Sequence, residues 1–495
     1  MLDLNIIAAE SDKAIHEGNK EVTEQLIKQL NQHLDQDISE QKKCYTHYIL
    51  GNLYNNLSNI MAENPSGWKD DNYPLFLTSE INHLRKSKQL LASMPHHFGN
   101  TVKTNLANAL ARQRRSIEVI DEWNCDLSIE GDSSFVSSLS KAKELIWISH
   151  WLNDSSHQNL YRYEAYLLIK NVKENIAGTD HPKVLQSMQE DKQILSILSK
   201  GDELFKNFDG WHKDFGSDDY NAEEKNYRNW CLREKLFINP INDLTQEQIA
   251  DQDIMQFPNH LVSIGEGPYL SASFSALKRE FCFARFMAYE GFNSIHPSFE
   301  NKKLFLTNTL DYIHYDGATE KIKTSFRICF SVLDSIAFLM NAYFHCGSKD
   351  VSFSSKWIKN NFKEKPINFF VDALYWLSCD LMDNPKVTSD NNIWKAPNPH
   401  ASEIKKIRNA IEHGWLRVTD YGQPNIYDQG DFAYLISEAE LKEKTLLVLK
   451  LVRSAIFYLY LAVSYNEYSK PEKDGVIVTM PVSLVEDDFI PLWGS

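Results

Sequence analysis

Ile404-Lys405-Lys406-Ile407-Arg408-Asn409-Ala410-Ile411-Glu412-His413-Gly414-Trp415 is the stretch on which the reading turns. Ile404, Ile407 and Ile411 recur at helical spacing, which predicts a helix over 402–413 with one face packed inward. Gly414 is expected to stop it, because glycine enters the left-handed C-cap conformation without strain. Arg408, Asn409, Glu412 and His413 then crowd the outer face of the last turns. Residues four apart nearly eclipse, so Asn409 shares a face with His413, and Arg408 with Glu412, as a surface ion pair would. Arg408 and His413 are five apart and differ in direction by about 140°. One helix is expected to aim them to different sides.

Outward from this stretch, composition sets bounds. A chain of 495 residues holds two to four domains' worth of core. Seven scattered cysteines without Cys-x-x-Cys spacing point to a reducing cytoplasm and away from a disulfide frame or zinc site. The net charge of −15 is uneven. Residues 1–300 carry 30 Lys+Arg against 43 Asp+Glu, whereas 301–470 carry 21 against 19, so the part holding the motif is the least acidic. No secretion signal is apparent at the N-terminus. The apolar run from Leu446 to Tyr465 is interrupted by Lys450 and Arg453, which are costly in lipid, so it reads as a core helix.

The periodicity predicts an all-α chain. Residues 1–200 are helix after helix, including Glu21 to Leu34, with Val22, Leu26, Ile27, Leu30 and Leu34 on one stripe. Leu50-Gly-Asn-Leu-Tyr54 resembles the first helix of a tetratricopeptide repeat, and Thr104 to Trp123 forms a second unit. The spacing from Leu50 to Leu106 exceeds the usual ~34 residues; a turn-rich loop over 64–74 absorbs the excess. Residues 201–268 lack a helical period and are expected to be an irregular connecting segment. Its Gly-x-Gly at 265–267 lacks the rest of a nucleotide loop. Residues 269–495 are expected to form a helical bundle with a C-terminal tail. In it Phe274 to Tyr289 is one helix stopped by Gly291, and Glu320 to Phe344 is the longest. On the latter, Asp334 and Asn341 share a face.

Several phrases arrive in order between about 220 and 465: Tyr227-Arg-Asn-Trp-Cys, Leu236-Phe-Ile-Asn-Pro-Ile-Asn-Asp-Leu244, Leu277-Lys-Arg-Glu-Phe281, Phe326-Arg-Ile-Cys-Phe-Ser-Val-Leu-Asp-Ser-Ile-Ala337, Ala373-Leu-Tyr-Trp376 and Ile407-Arg-Asn-Ala-Ile-Glu-His413. Together they resemble a HEPN subfamily of bacterial proteins with a tetratricopeptide-like region in front. The resemblance implies a helical bundle, a site at a homodimer interface, and metal-independent cleavage of RNA with no cofactor. It places Arg408, Asn409 and His413 as catalytic. His413 would move the proton, Arg408 hold the phosphate, and Asn409 orient substrate or His413. Glu412, Asp334 and Asn341 are supporting candidates, and Lys405 and Lys406 would line the groove for RNA. Many relatives paired with nucleotidyltransferases carry a tyrosine two residues after the histidine; here that position is Trp415.

The expected role is a cytoplasmic defence or stress toxin whose N-terminal helices sense a protein or phage-derived trigger or recruit a target. The competing reading is a catalytically silent scaffold that binds RNA or a protein. Neither reading involves a metal or a membrane.

Overall fold

The computed structural model describes residues 3–61, 73–124, 132–176, 182–212, 220–262, 268–294, 301–307, 313–381, 386–387, 393–394, 396–420, 433–470 and 476–477. Most of the stretch 64–74, the Gly-x-Gly, the acidic pair 218–219 and the tail beyond 477 lie outside them.

The fold is all-α. The N-terminal helices are α1 (Leu4–Glu17), α2 (Lys20–Leu34), α3 (Glu40–Met61), α4 (Tyr73–Gln89), α5 (His96–Arg112), α6 (Ser116–Glu122), α7 (Asp132–Ser149), α8 (Ser155–Asn175), α9 (Pro182–Glu190) and α10 (Lys192–Leu204). The chain continues through α11 (Ala222–Glu234), α12 (Tyr269–Asn293), α13 (Gly317–Tyr343), α14 (Ser355–Phe362), α15 (Phe369–Cys379), α16 (Ala401–His413) and α17 (Glu438–Ser469). Among the described residues, strands occur only as three two-stranded ladders. One of them, the parallel pair Leu416–Thr419 with Tyr434–Ser437, links the end of α16 to the start of α17.

Cap chemistry sets several starts. Asn19 accepts from Val22 N–H at α2, Asp316 from Thr319 N–H at α13, and Ser437 from Glu440 N–H at α17. α13 buries Ile322, Phe326, Phe330, Leu333, Ile336, Ala337 and Met340, the stripe its periodicity predicts. α3 and α4 pack closely, and Gly51 permits it: a Cβ there would stand 2.8 Å from Leu84.

The partition expected near residue 200 does not appear as separate cores. α1–α3 keep a small core of their own around Leu26, Leu30, Leu50 and Leu53. From Leu77 to Val463, however, one hydrophobic cluster runs through N-terminal helices and bundle alike.

Residues 201–268, expected to be an irregular connecting segment without helical period, include the end of α10 and all of α11. α11 buries Trp230, Cys231 and Leu232, and the chain after it is gripped by two arginines of the bundle. Arg453 on α17 pairs with Asp243 at 2.8 and 3.1 Å and donates to the Phe237 carbonyl. Arg285 on α12 pairs with Asp253 at 2.9 and 2.8 Å and donates to the Leu236 carbonyl. A guanidinium inside an apolar helix needs a buried partner, and this segment supplies it. α13 and α17 are long and apolar enough to cross a membrane, but both are core helices here; 83% of the α17 window is buried.

Gly291 does not end α12, which runs on to Asn293. Its role is close approach to α13: a Cβ would stand 2.6 Å from the Ile322 side chain and 2.8 Å from the Ala318 carbonyl.

Candidate functional site

The motif helix α16 buries Ala401, Ile404, Ile407 and Ala410 and leaves Arg408, Asn409, Glu412 and His413 exposed. It lies beside α13, and the two enclose an open cleft of about 530 Å³. α13 lines it with Arg327, Phe330, Ser331, Asp334, Ser335 and Phe338, and α16 with Arg408, Asn409, Glu412 and His413.

Four expectations change here. First, Arg408 and His413 border the same cleft, despite their angular offset on the helix. The cleft runs along the last turns of α16, and the Arg408 guanidinium lies 4.5 Å from the centroid of Phe330. A guanidinium over a ring keeps its N–H groups available to donate. Second, Glu412 pairs with Arg327, Nε to Oε1 at 3.1 Å, and not with Arg408. Arg327 also donates to the Ile411 carbonyl at 3.0 Å, satisfying one of the orphan acceptors of the last turn.

Third, Asn341 stands outside the cleft. Its amide exchanges two hydrogen bonds with Ser348, both 3.1 Å, and so fastens the loop after α13. Asp334 faces the cleft and also accepts from Phe353 N–H at 2.9 Å. Fourth, Gly414 is not left-handed. With φ −147° it carries the chain straight into the strand Leu416–Thr419, so the ladder with Tyr434–Ser437 ends the helix. Lys405 and Lys406 lie on α16 one turn before the motif and are not part of the cleft wall.

Arg327 is the residue the sequence reading passed over. Its signal was present: Arg327, Ser331, Asp334, Ser335 and Phe338 recur at helical spacing as a second stripe on α13, beside the buried one.

Among the described residues, His314, Asp420 and Glu438 bring ligand-type atoms within 4.8 Å of one another, a cluster the spacing had not suggested. The two carboxylates approach opposite ring nitrogens of His314, Asp420 at 2.9 Å and Glu438 at 3.9 Å. Lys442 neutralises Glu438 at 2.7 Å. The group ties the entry of α13 to the start of α17.

Residues 261–466 match the family described as LA2681-like HEPN. Residues 261–466, which hold most of the C-terminal bundle, are thus a HEPN domain. The match does not extend over the N-terminal helices. No curated protein and no solved structure matches the chain.

Proposed function

We propose that the protein is a metal-independent endoribonuclease acting as a bacterial defence or stress toxin, with the N-terminal helices receiving the trigger or target. The observation that carries this reading is the convergence of Arg408, Asn409 and His413 on one exposed cleft, with the Arg408 guanidinium over the Phe330 ring.

In the reaction the ribose 2′-oxygen attacks its own phosphorus and the P–O5′ bond breaks. A 2′,3′-cyclic phosphate and a 5′-hydroxyl result. A base takes the 2′ proton, an acid protonates the leaving 5′-oxygen, and Arg408 holds the charge gathering on the phosphate. His413 serves as base. With His413 as base at the 2′-oxygen, a second group placed at the 5′-oxygen would supply the other proton, and a homodimer offers a second copy of His413 for that. Phe283 on α12 and Phe338 on α13 are exposed apolar side chains that each border a cleft lined also by Ser331, which suits self-association along this side of the bundle.

The test uses purified full-length protein and single-stranded RNA in excess EDTA. Cleavage leaving cyclic phosphate ends is expected, and His413→Ala should slow it by about 10²- to 10⁴-fold. Intact RNA, or cleavage that returns only with magnesium, counts against the scheme. For the dimer, Phe283→Glu should give a folded monomer that no longer cuts. A monomer cutting at the wild-type rate would remove the need for two copies.

A further inference from the structure

Asn82, Arg85 and Gln89 are spaced i, i+3, i+7 and therefore form one stripe along α4. Each reaches the segment that joins α15 to the motif helix. Asn82 Nδ2 donates to the Ala396 carbonyl at 2.8 Å. Arg85 donates through both Nη atoms to the fully buried Asp380 carboxylate, at 2.7 and 3.0 Å. Gln89 Nε2 meets His400 Nε2 at 2.5 Å. Asp380 begins that segment, and His400 ends it at the N-cap position of α16. On its other side the His400 ring meets Glu403 at 2.9 Å and the buried Lys444 of α17 at 2.9 Å.

A cavity of about 560 Å³ opens beside these contacts, lined by Arg85, Lys88 and Gln89 from α4 and by Asp380, His400 and Lys450 across from it. One wall of the joint is therefore space and not packed side chains, which leaves α4 room to shift. The lever is long. From Ala401 to His413, α16 spans about 20 Å, so a tilt of about 5° at its start moves the far end by roughly 2 Å. A misplacement of about 1 Å can cost a reaction about 100-fold.

We propose that α4 is a clamp that sets the angle of the motif helix, with Asn82, Arg85 and Gln89 as positioning residues through which binding at the N-terminal helices controls the site. With the clamp engaged, as in this structure, Arg408 and His413 share the cleft. Loosening it lowers activity. The effect on cleavage rests on the ribonuclease reading above; the coupling of α4 to α16 does not.

The experiment compares full-length wild type with Arg85→Ala/Gln89→Ala by hydrogen exchange and by RNA cleavage. Asp380 keeps Arg115 as a partner in this variant, so the buried carboxylate is not orphaned. Exchange over 396–413 should rise at least tenfold while α13 stays protected. The kcat for RNA should fall at least tenfold with KM unchanged, because neither residue touches the cleft. Arg85→Lys with Gln89 retained should recover most of both. Should the double variant lose protection throughout, Gln89→Ala alone decides, since Gln89 is exposed and its loss threatens no core. Unchanged exchange over 400–407 in that variant overturns the clamp. A wild type that cuts no RNA would sink the ribonuclease reading and leave the exchange result to judge the clamp by itself.

Discussion

Arg408→Lys is expected to reduce RNA cleavage by about 10²- to 10³-fold while leaving the thermal midpoint nearly unchanged, the magnitude associated with losing one aligned donor at a developing oxyanion. The substitution keeps the charge and removes the planar fork. The guanidinium sits 4.5 Å from the centroid of Phe330, on the wall of the cleft. An ammonium on a flexible stem neither stacks so well nor donates two parallel bonds. Stability should hardly move, because Arg408 is exposed and the carboxylate on its own face, Glu412, is taken by Arg327. Exposed cation–π contacts and surface ion pairs are each worth about 1 kcal/mol or less. Full activity in Arg408→Lys would mean that the residue acts only as a diffuse positive charge, and the assignment of a phosphate-holding fork would fall.

What was legible in the sequence follows from how each feature is encoded. The helix stripes are local, and α2, α13 and α16 appear within a residue or a few of where their periodicity puts them. So does the outward face of α16, since it is simply what the apolar stripe leaves over. Pairings across helices are not local. Glu412 has Arg408 four residues away on its own helix, yet it bonds to Arg327, 85 residues distant, because packing brings α13 alongside. Asn341 shares a face with Asp334, but the chain turns back after α13 and occupies its amide with Ser348. Gly291 and Gly414 both look like helix stops. One is a contact glycine inside a helix, and the other ends its helix by entering a strand. The segment after α11 lacks periodicity because buried arginines from α12 and α17 hold it in place of a helical ladder. Arg453, read as an interruption that disfavours lipid, is the same fact seen from the other partner.

Asp380→Ala is expected to cost about 3–5 kcal/mol, the range for removing one partner of a buried ion pair. Asp380 is fully buried and joins the two halves of the molecule: Arg85 of α4 binds both its oxygens, and the fully buried Arg115 at the head of α6 binds one of them. Burial alone pushes its carboxyl upward, but Arg115 and Arg85 outweigh that and hold it below the usual carboxylate range. A depressed folded value means the stabilisation is complete above the unfolded value of about 3.9 and fades only as pH falls toward the folded one. The gap between wild type and Asp380→Ala should therefore stay constant from pH 5 to 8 and close in stronger acid. Removing the carboxylate leaves Arg115 with Glu118 and takes away the anion that Arg85 and Arg115 share. Denaturant midpoints and exchange over 77–120 and 370–400 should show the loss together, since one core crosses that junction. Asp380→Leu/Arg115→Met/Arg85→Met/Glu118→Gln, which removes the paired charges together, should recover most of the stability, because apolar or neutral replacement of a whole buried ionic group is often neutral. If Asp380→Ala loses less than about 1 kcal/mol, an exposed-pair value, water reaches the junction and the arginines were never committed to that carboxylate.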